Sequence, residues 1–168
     1  MVTVSLTADS TAENGRTSPA AHPRPRSIDE HLAAVRAGLH RLTPAEAAQA
    51  AAGGALLVDI RYGALRDRDG TIPGSVIVER NELEWRLDPA SPHRVAGATS
   101  HDLTMVLICN EGYASSLAAV ALHALGLSAA TDLVGGFQAW RAAGLPVTPP
   151  DGTPTKPTAH IAAEQSGA

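Results

Sequence analysis

Apolar residues along this chain form two patterns. Some recur every three or four positions, and others form short unbroken runs. "SIDEHLAAVRAGL" (27–39) places Leu32, Val35 and Leu39 at helical spacing, after Ser27 and a Glu three residues on. That is a capping box, and it predicts a helix. "HRLTPAEAAQAAAGG" (40–54) gives a short extended piece and then a second helix, with Thr43 as its cap and Pro44 at its first position. Gly53 and Gly54 stop it. "ALLVDI" (55–60) is unbroken and rich in branched side chains, which predicts a buried strand. "DRDGTIPGS" (67–75) reads as a turn-rich loop, and "SVIVE" (75–79) as another strand. "NELEWRL" (81–87) suits one or two turns of helix, and "DPASPHRVAGATSHD" (88–102) a loop with room for a short helix.

"LTMVLIC" (103–109) is the most strand-like run in the chain. "SSLAAVALHALGL" (115–127) is apolar nearly all round, which predicts a buried helix. "AATDLVGG" (129–136) holds a last strand, and "FQAWRAAG" (137–144) a closing helix stopped by Gly144. Short apolar strands alternating with helices imply an α/β fold with a mainly parallel sheet covered on both faces. Both ends differ. Residues 1–26 and 148–168 are rich in Ser, Thr, Pro and Ala without apolar period, and are expected to be disordered tails around a domain spanning 27–147.

Composition narrows the function classes. The 168 residues suit one domain, and 44% are hydrophobic, enough for a packed core. The N-terminus lacks a charged start followed by an apolar core, and no apolar stretch is long enough to span a bilayer. A single Cys cannot form an internal disulfide, so a cytoplasmic location is expected. A net charge of −4, with twelve scattered Arg and one Lys, argues against a nucleic-acid binder. A single Cys and scattered histidines (His93, His101, His123) give no metal-ligand spacing, and no cofactor is expected.

The one thiol, Cys109, sits at the carboxyl end of a predicted strand, directly before a helix. In open α/β sheets that is the ligand crevice. The loop "CNEGYASS" leads to a helix for which Ser115 or Ser116 is a plausible N-cap. Unpaired N–H groups of the first helical turn would face Cys109 and favour its thiolate. Gly112 lets the loop curl through positive φ. Asp59 suits a cap or ion-pair partner at its strand end. Gly135 and Gly136 suit a tight strand-to-helix turn, Trp140 a core position, and His123 a partly exposed one. Trp85 suits half-buried packing, with the pocket mouth as the alternative. A cysteine phosphatase needs Cys-x5-Arg, and Ser115 occupies that Arg position.

Four stretches together resemble the rhodanese family of single-domain and tandem-domain sulfurtransferases. "LLVDIR" (56–61) resembles its strand ending in Asp-x-Arg. "DGTIPGSVIV" (69–78) resembles its Gly-His-Ile-Pro-Gly-Ala segment, with Thr71 in place of His. "MVLICNEGYASSLAA" (105–119) resembles its active-site strand, loop and helix. "DLVGGFQAWRAAGLPV" (132–147) resembles its closing Gly-Gly-aromatic-x-x-Trp signature. They occur in family order. The resemblance implies a three-layer fold around a five-stranded, mainly parallel sheet. It also implies that Cys109 carries a sulfane sulfur as a persulfide, from a donor such as thiosulfate or a persulfide to a thiophilic acceptor, either a small thiol or an acceptor protein. Asn110, Glu111, Gly112, Tyr113, Ala114 and Ser115 would form the substrate loop, with Arg61 and Arg80 as further binding residues. One departure stands out. Family loops often read Cys-x-x-Gly-x-Arg, and the last position here is Ala114, while Glu111 adds negative charge. Arg61, Arg80 and Arg86 are the candidates for a replacement cation, with an ion pair that pins the fold as the equal alternative for Arg61. The alternative class is a binding or redox-sensing module without turnover.

Overall fold

The structure, a computed structural model, describes residues 24–151. The segments 1–23 and 152–168, which hold most of the expected tails, lie outside the described residues. Both predicted capping boxes form. In α1 (Ile28–Ala37) the Ser27 hydroxyl accepts from Glu30 N, and the Glu30 carboxylate accepts from Ser27 N. In α2 (Pro44–Ala52) Thr43 and Glu46 repeat the exchange. The Thr43 hydroxyl and amide hold the Glu46 carboxyl below its ordinary value.

The sheet contains β1 (Leu56–Asp59), β2 (Val76–Ile77), β3 (Met105–Ile108) and β4 (Ala130–Asp132), all parallel, in the order β2-β1-β3-β4. Four strands form where five were expected. The extended piece before α2 lies alongside β4, but only Leu42 bridges, to Leu133. Leu42 N donates to Asp132 O and Val134 N donates to Leu42 O. Between the end of α1 and the Thr43 cap there is too little chain for a longer ladder.

Period-two alternation sorts the strands onto two faces. Val58, Ile60, Met105, Leu107 and Cys109 point to one core, shared with Leu83, Leu87 and Leu122. Leu57, Val106 and Ile108 point to the other, shared with Ala47, Phe137 and Trp140. The first face is covered by α4 (Leu83–Leu87) and α5 (Ala114–His123), with α1 packed on α5. The second is covered by α2 and by α6 (Gly136–Ala142). Met105 through Ile108 are fully buried, as a central parallel strand requires.

Several segments differ from the sequence reading. Residues 63–69 form a helix, α3 (Gly63–Asp69), so the first part of the predicted 67–75 loop is helical. This helix buries only Leu65 and has no side-chain N-cap, so neither periodicity nor capping announces it. The 75–79 strand shrinks to two residues. Residues 81–87 become a 3-10 turn (Arg80–Glu82) running into α4, and 88–102 contain turns without a helix. Beyond α6, Thr148 pairs with Thr71 through two backbone hydrogen bonds of 2.8 Å. No helix among the described residues is long and apolar enough to cross a membrane.

Asp69, the last residue of α3, ties this helix to α6. Its carboxylate accepts from Arg68, from Gln138 Nε2 at 3.0 Å and from Arg141 Nη1 at 3.4 Å. The Arg68 hydrogen bond, helped by Gln138 and by the charges of Arg68 and Arg141, holds the Asp69 carboxyl far below its ordinary value of 3.8, against the opposing effect of burial. A carboxyl depressed by folding stabilises above its unfolded value, and that contribution fades as pH falls toward the folded one. Asp69→Asn is therefore expected to lower stability at pH 7, with the gap to wild type narrowing below about pH 4. Urea unfolding at a series of pH values measures it, and a gap constant from pH 7 to pH 3 would contradict it.

Candidate active site

Cys109 follows the last residue of β3 and inherits the alternation of that strand, so its side chain lies on the α5 face. The residue is buried, at 8% exposure, but it borders a cavity of about 400 Å³. Ile60, Tyr62, Leu65, Tyr113 and Ala114 give this cavity a mainly apolar wall. Arg61, Arg80, Asn110 and Glu111 complete the lining. Tyr62 and Tyr113 are more than half exposed and stand at its rim.

Two groups meet the sulfur. Gly112 N donates to Cys109 Sγ at 3.1 Å, and Ser115 Oγ lies 3.2 Å from it. The expected cup of several amides is thus one amide and one hydroxyl. Gly112 takes φ 79°, and a Cβ there would stand 2.7 Å from Gly135 N, so glycine is needed both for its conformation and for the close approach.

Neither serine caps α5. Tyr113 occupies the N-cap position without a side-chain bond, while Ser115 and Ser116 lie inside the first turn, fully buried. Both hydroxyls donate to Asp132 Oδ2 at 2.9 Å. A buried carboxylate at the end of β4 attracts them more strongly than the helix's own amides would. Asp132 is in turn held by Arg41, whose Nε and Nη2 donate to its two oxygens at 2.8 and 3.0 Å. Arg41 Nη2 and Arg36 Nη2 both donate to Gly112 O, at 3.0 and 2.7 Å. Arg36 Nε also donates to Ser116 Oγ at 3.2 Å, and its guanidinium lies 5.4 Å from the Tyr113 ring centre. The loop around Cys109 is therefore clamped from behind by two arginines and one aspartate. None of Arg36, Arg41, Asp132 or Ser116 stands out as a site residue in the sequence.

The arginines singled out from the sequence are differently engaged. Arg61 is fully buried and pairs with Asp59 through Nε at 3.0 Å and Nη2 at 2.6 Å, donates to Gly70 O, and stacks 3.7 Å from the Phe137 ring centre. Arg80 borders the cavity but pairs with Glu84 at 3.0 Å. Arg86 does not border it and donates to His93 O. Trp85 is exposed and lines a different groove, with Glu84, Pro92 and Leu125. Asn110 and Glu111 lie together, Asn110 Nδ2 donating to Glu111 Oε1 at 3.2 Å, and Gln138 Nε2 donates to Asn110 Oδ1 at 2.9 Å. Ala114 is exposed at the first position of α5, facing the cavity with a single methyl group. His123 Nε2 lies 2.7 Å from Ala130 O at the far end of α5.

Comparison with solved structures identifies folds of the same kind. A protein of unknown function from Rhodopseudomonas palustris, named a possible tyrosine phosphatase, is 34% identical, with a TM-score of 0.66 over 77% of this chain and 99% of its own. A human single-domain sulfurtransferase is 26% identical, with a TM-score of 0.52 over 62% of this chain and 97% of its own. A thiosulfate sulfurtransferase from Pseudomonas aeruginosa is 25% identical, with a TM-score of 0.52 over 66% of this chain and 19% of its own. No curated protein matches the chain. The family model of the rhodanese-like domain matches residues 43–143, a span that runs from the cap of α2 through the Cys109 loop to the end of α6. With more than half of its length matched by that model, and a parallel sheet flanked by helices as in these rhodanese-like neighbours, the chain belongs to the rhodanese-like domain family.

Proposed function

We propose that the protein is a sulfurtransferase in which Cys109 carries the sulfur. One observation carries this reading. The chain's one thiol borders the cavity at the strand end and accepts a hydrogen bond from the loop amide of Gly112. In the first half-reaction the Cys109 thiolate attacks the sulfane sulfur of a donor. A new S–S bond forms at Sγ, the bond from that sulfur to the rest of the donor breaks, and the remainder leaves with the electron pair. In the second, an acceptor nucleophile attacks the outer sulfur of the Cys109 persulfide, and Sγ leaves as thiolate. The Gly112 N–H serves Sγ in both its attacking and leaving roles.

The charge distribution favours an organic persulfide over thiosulfate as donor. Thiosulfate is a small dianion. The two guanidinium groups on the cavity wall are neutralised by Asp59 and Glu84, Ala114 offers none, and Glu111 is exposed at the rim. Apolar and aromatic walls around about 400 Å³ suit the carbon skeleton of an organic donor or acceptor thiol. A phosphatase reading has no support in this loop, because Ser115, buried against Asp132, stands where a phosphate-binding arginine is needed. The low exposure of Cys109 favours a second reading, a binding or redox-sensing module that does not turn over.

Intact mass spectrometry separates the two. After incubation with a low-molecular-weight persulfide, wild type is expected to gain one sulfur atom that cyanide or a thiol removes, and Cys109→Ser to gain none. Thiosulfate is expected to load wild type poorly and Ala114→Arg at least tenfold faster, since a charge-assisted contact supplies about 1.5–3 kcal/mol. No sulfur gained from any donor would leave the binding module, and an equal effect of Ala114→Arg on both donors would remove the charge explanation.

A further inference from the structure

Ser115 has one hydroxyl proton and two neighbours able to accept it. Its Oγ lies 3.2 Å from Cys109 Sγ and 2.9 Å from Asp132 Oδ2. A carboxylate only accepts hydrogen bonds, and so does a thiolate, whereas a thiol can donate. Two arrangements are therefore consistent with the geometry. With Cys109 protonated, its S–H donates to Ser115 Oγ, and the Ser115 hydroxyl donates to Asp132. With Cys109 deprotonated, the hydroxyl turns to Sγ and Asp132 loses that bond. Asp132 also accepts from the two Arg41 N–H groups and from the Ser116 hydroxyl, which lies 2.9 Å from Oδ2 and 3.3 Å from its other acceptor, Gly112 O.

We infer that Asp132 is a positioning residue that acts on Cys109 through the Ser115 hydroxyl. By competing for that single proton, it holds the resting sulfur as a thiol. It gives up the hydroxyl only as the thiol proton leaves to solvent or to a reactant that takes it. No covalent bond to Ser115 is made or broken. The inference rests on the sulfur-carrier reading only in taking Cys109 as the reacting group, on which Asp132 acts as a brake until the thiol proton leaves, and it is tested on the free thiol, so the two fail separately. Other charged groups face the same sulfur and carboxylate. Arg36 and Arg41 lie behind the loop, while Arg61, Arg80, Glu111 and the phenols of Tyr62 and Tyr113 lie around the cavity. All of them are shared by the variants compared below, except where Arg41 is itself changed.

The experiment is the rate of Cys109 alkylation by iodoacetamide as a function of pH. It compares wild type, Asp132→Asn, Ser115→Ala and the double variant, each checked for folding by circular dichroism. With the competitor neutralised, the pH of half-maximal rate is expected to fall by about one unit, about tenfold, on Asp132→Asn in the wild-type background. Most of that fall is expected to vanish when Ser115 is already Ala. Equal shifts in the two backgrounds would show Asp132 acting on charge alone, and no shift would show it not acting at all; either result overturns the inference. If Asp132→Asn does not fold, Arg41→Gln takes its place, at a side chain 17% exposed. There the carboxylate loses its counter-charge, and the half-maximal pH is expected to rise, again mainly when Ser115 is present. A rise of the same size without Ser115, or none, overturns the inference equally. Sulfur loading measured on the same samples reports on the carrier chemistry independently.

Discussion

Alanine at Gly136 is expected to lower the stability of the domain by about 4 kcal/mol and to disorganise the Cys109 loop at the same time. Gly136 has φ 58°, and a Cβ built on it would press on the Cys109 carbonyl oxygen, 2.7 Å from Gly112 N and 2.8 Å from Asn110 C. All three are backbone atoms, which cannot swing aside as a long side chain would. The left-handed conformation itself adds about 1–2 kcal/mol for a residue with a Cβ. Displacing the loop also strains two hydrogen bonds that hold it, from Phe137 N to Cys109 O at 2.9 Å and from Gln138 N to Asn110 O at 3.1 Å, each worth about 1 kcal/mol. Gly38 provides the control. Its φ is −103° and nothing lies within 4 Å of the position a Cβ would take, so Gly38→Ala is expected to be neutral or slightly stabilising. Urea unfolding compares the two, and alkylation of Cys109 reports on the loop. If Gly136→Ala matched Gly38→Ala within about 1 kcal/mol, the close approach of α6 to the loop would not be what positions Cys109.

This dependence explains which parts of the site the sequence revealed. Cys109 was legible because its cues are local: a branched apolar run, a stop, a glycine that permits positive φ, and then a helix. The two capping boxes were legible for the same reason, since each closes within three residues. The partners of the loop come from far away in the chain. Arg36 and Arg41 reach Gly112 O across separations of 76 and 71 residues, and Asp132 reaches Ser115 across 17. Nothing in the run around Arg36 or Arg41 separates them from the other arginines, whereas Arg61 ends one predicted strand and Arg80 follows another. The serine pair shows the same limit. A serine before an apolar helix satisfies the local requirement for a cap, and only the distant, buried Asp132 turns both hydroxyls inward. The helix α3 is hidden for a different reason. It buries too little apolar surface to leave a period, and it forms because the surrounding elements hold it in place.

Removing the Asp59 charge with Asp59→Asn is expected to cost about 3–5 kcal/mol, a large part of a typical domain's stability. Asp59 and Arg61 both have side chains with no solvent exposure. The carboxylate accepts from Arg61 Nε, Nη2 and backbone N. Without that charge, the Arg61 guanidinium would stay buried with the Gly70 carbonyl and the Phe137 ring as its remaining partners, and its Nη1 already lacks one. The desolvation of one unpaired cation then outweighs what the carbonyl and the ring return. Replacing both residues by apolar side chains of similar size, Asp59→Leu with Arg61→Met, removes the charge and its counter-charge together. That double variant is expected to recover most of the loss, because the attraction within a buried pair largely offsets the cost of desolvating it. The comparison also decides what Arg61 does. A guanidinium bound to Asp59, Gly70 and Phe137 is a fold element, so the double variant, once stable, is expected to load sulfur onto Cys109 nearly as wild type does. Recovered stability together with lost loading would place Arg61 among the groups that bind the donor, through its Nη1, which has no hydrogen-bond partner among the described residues.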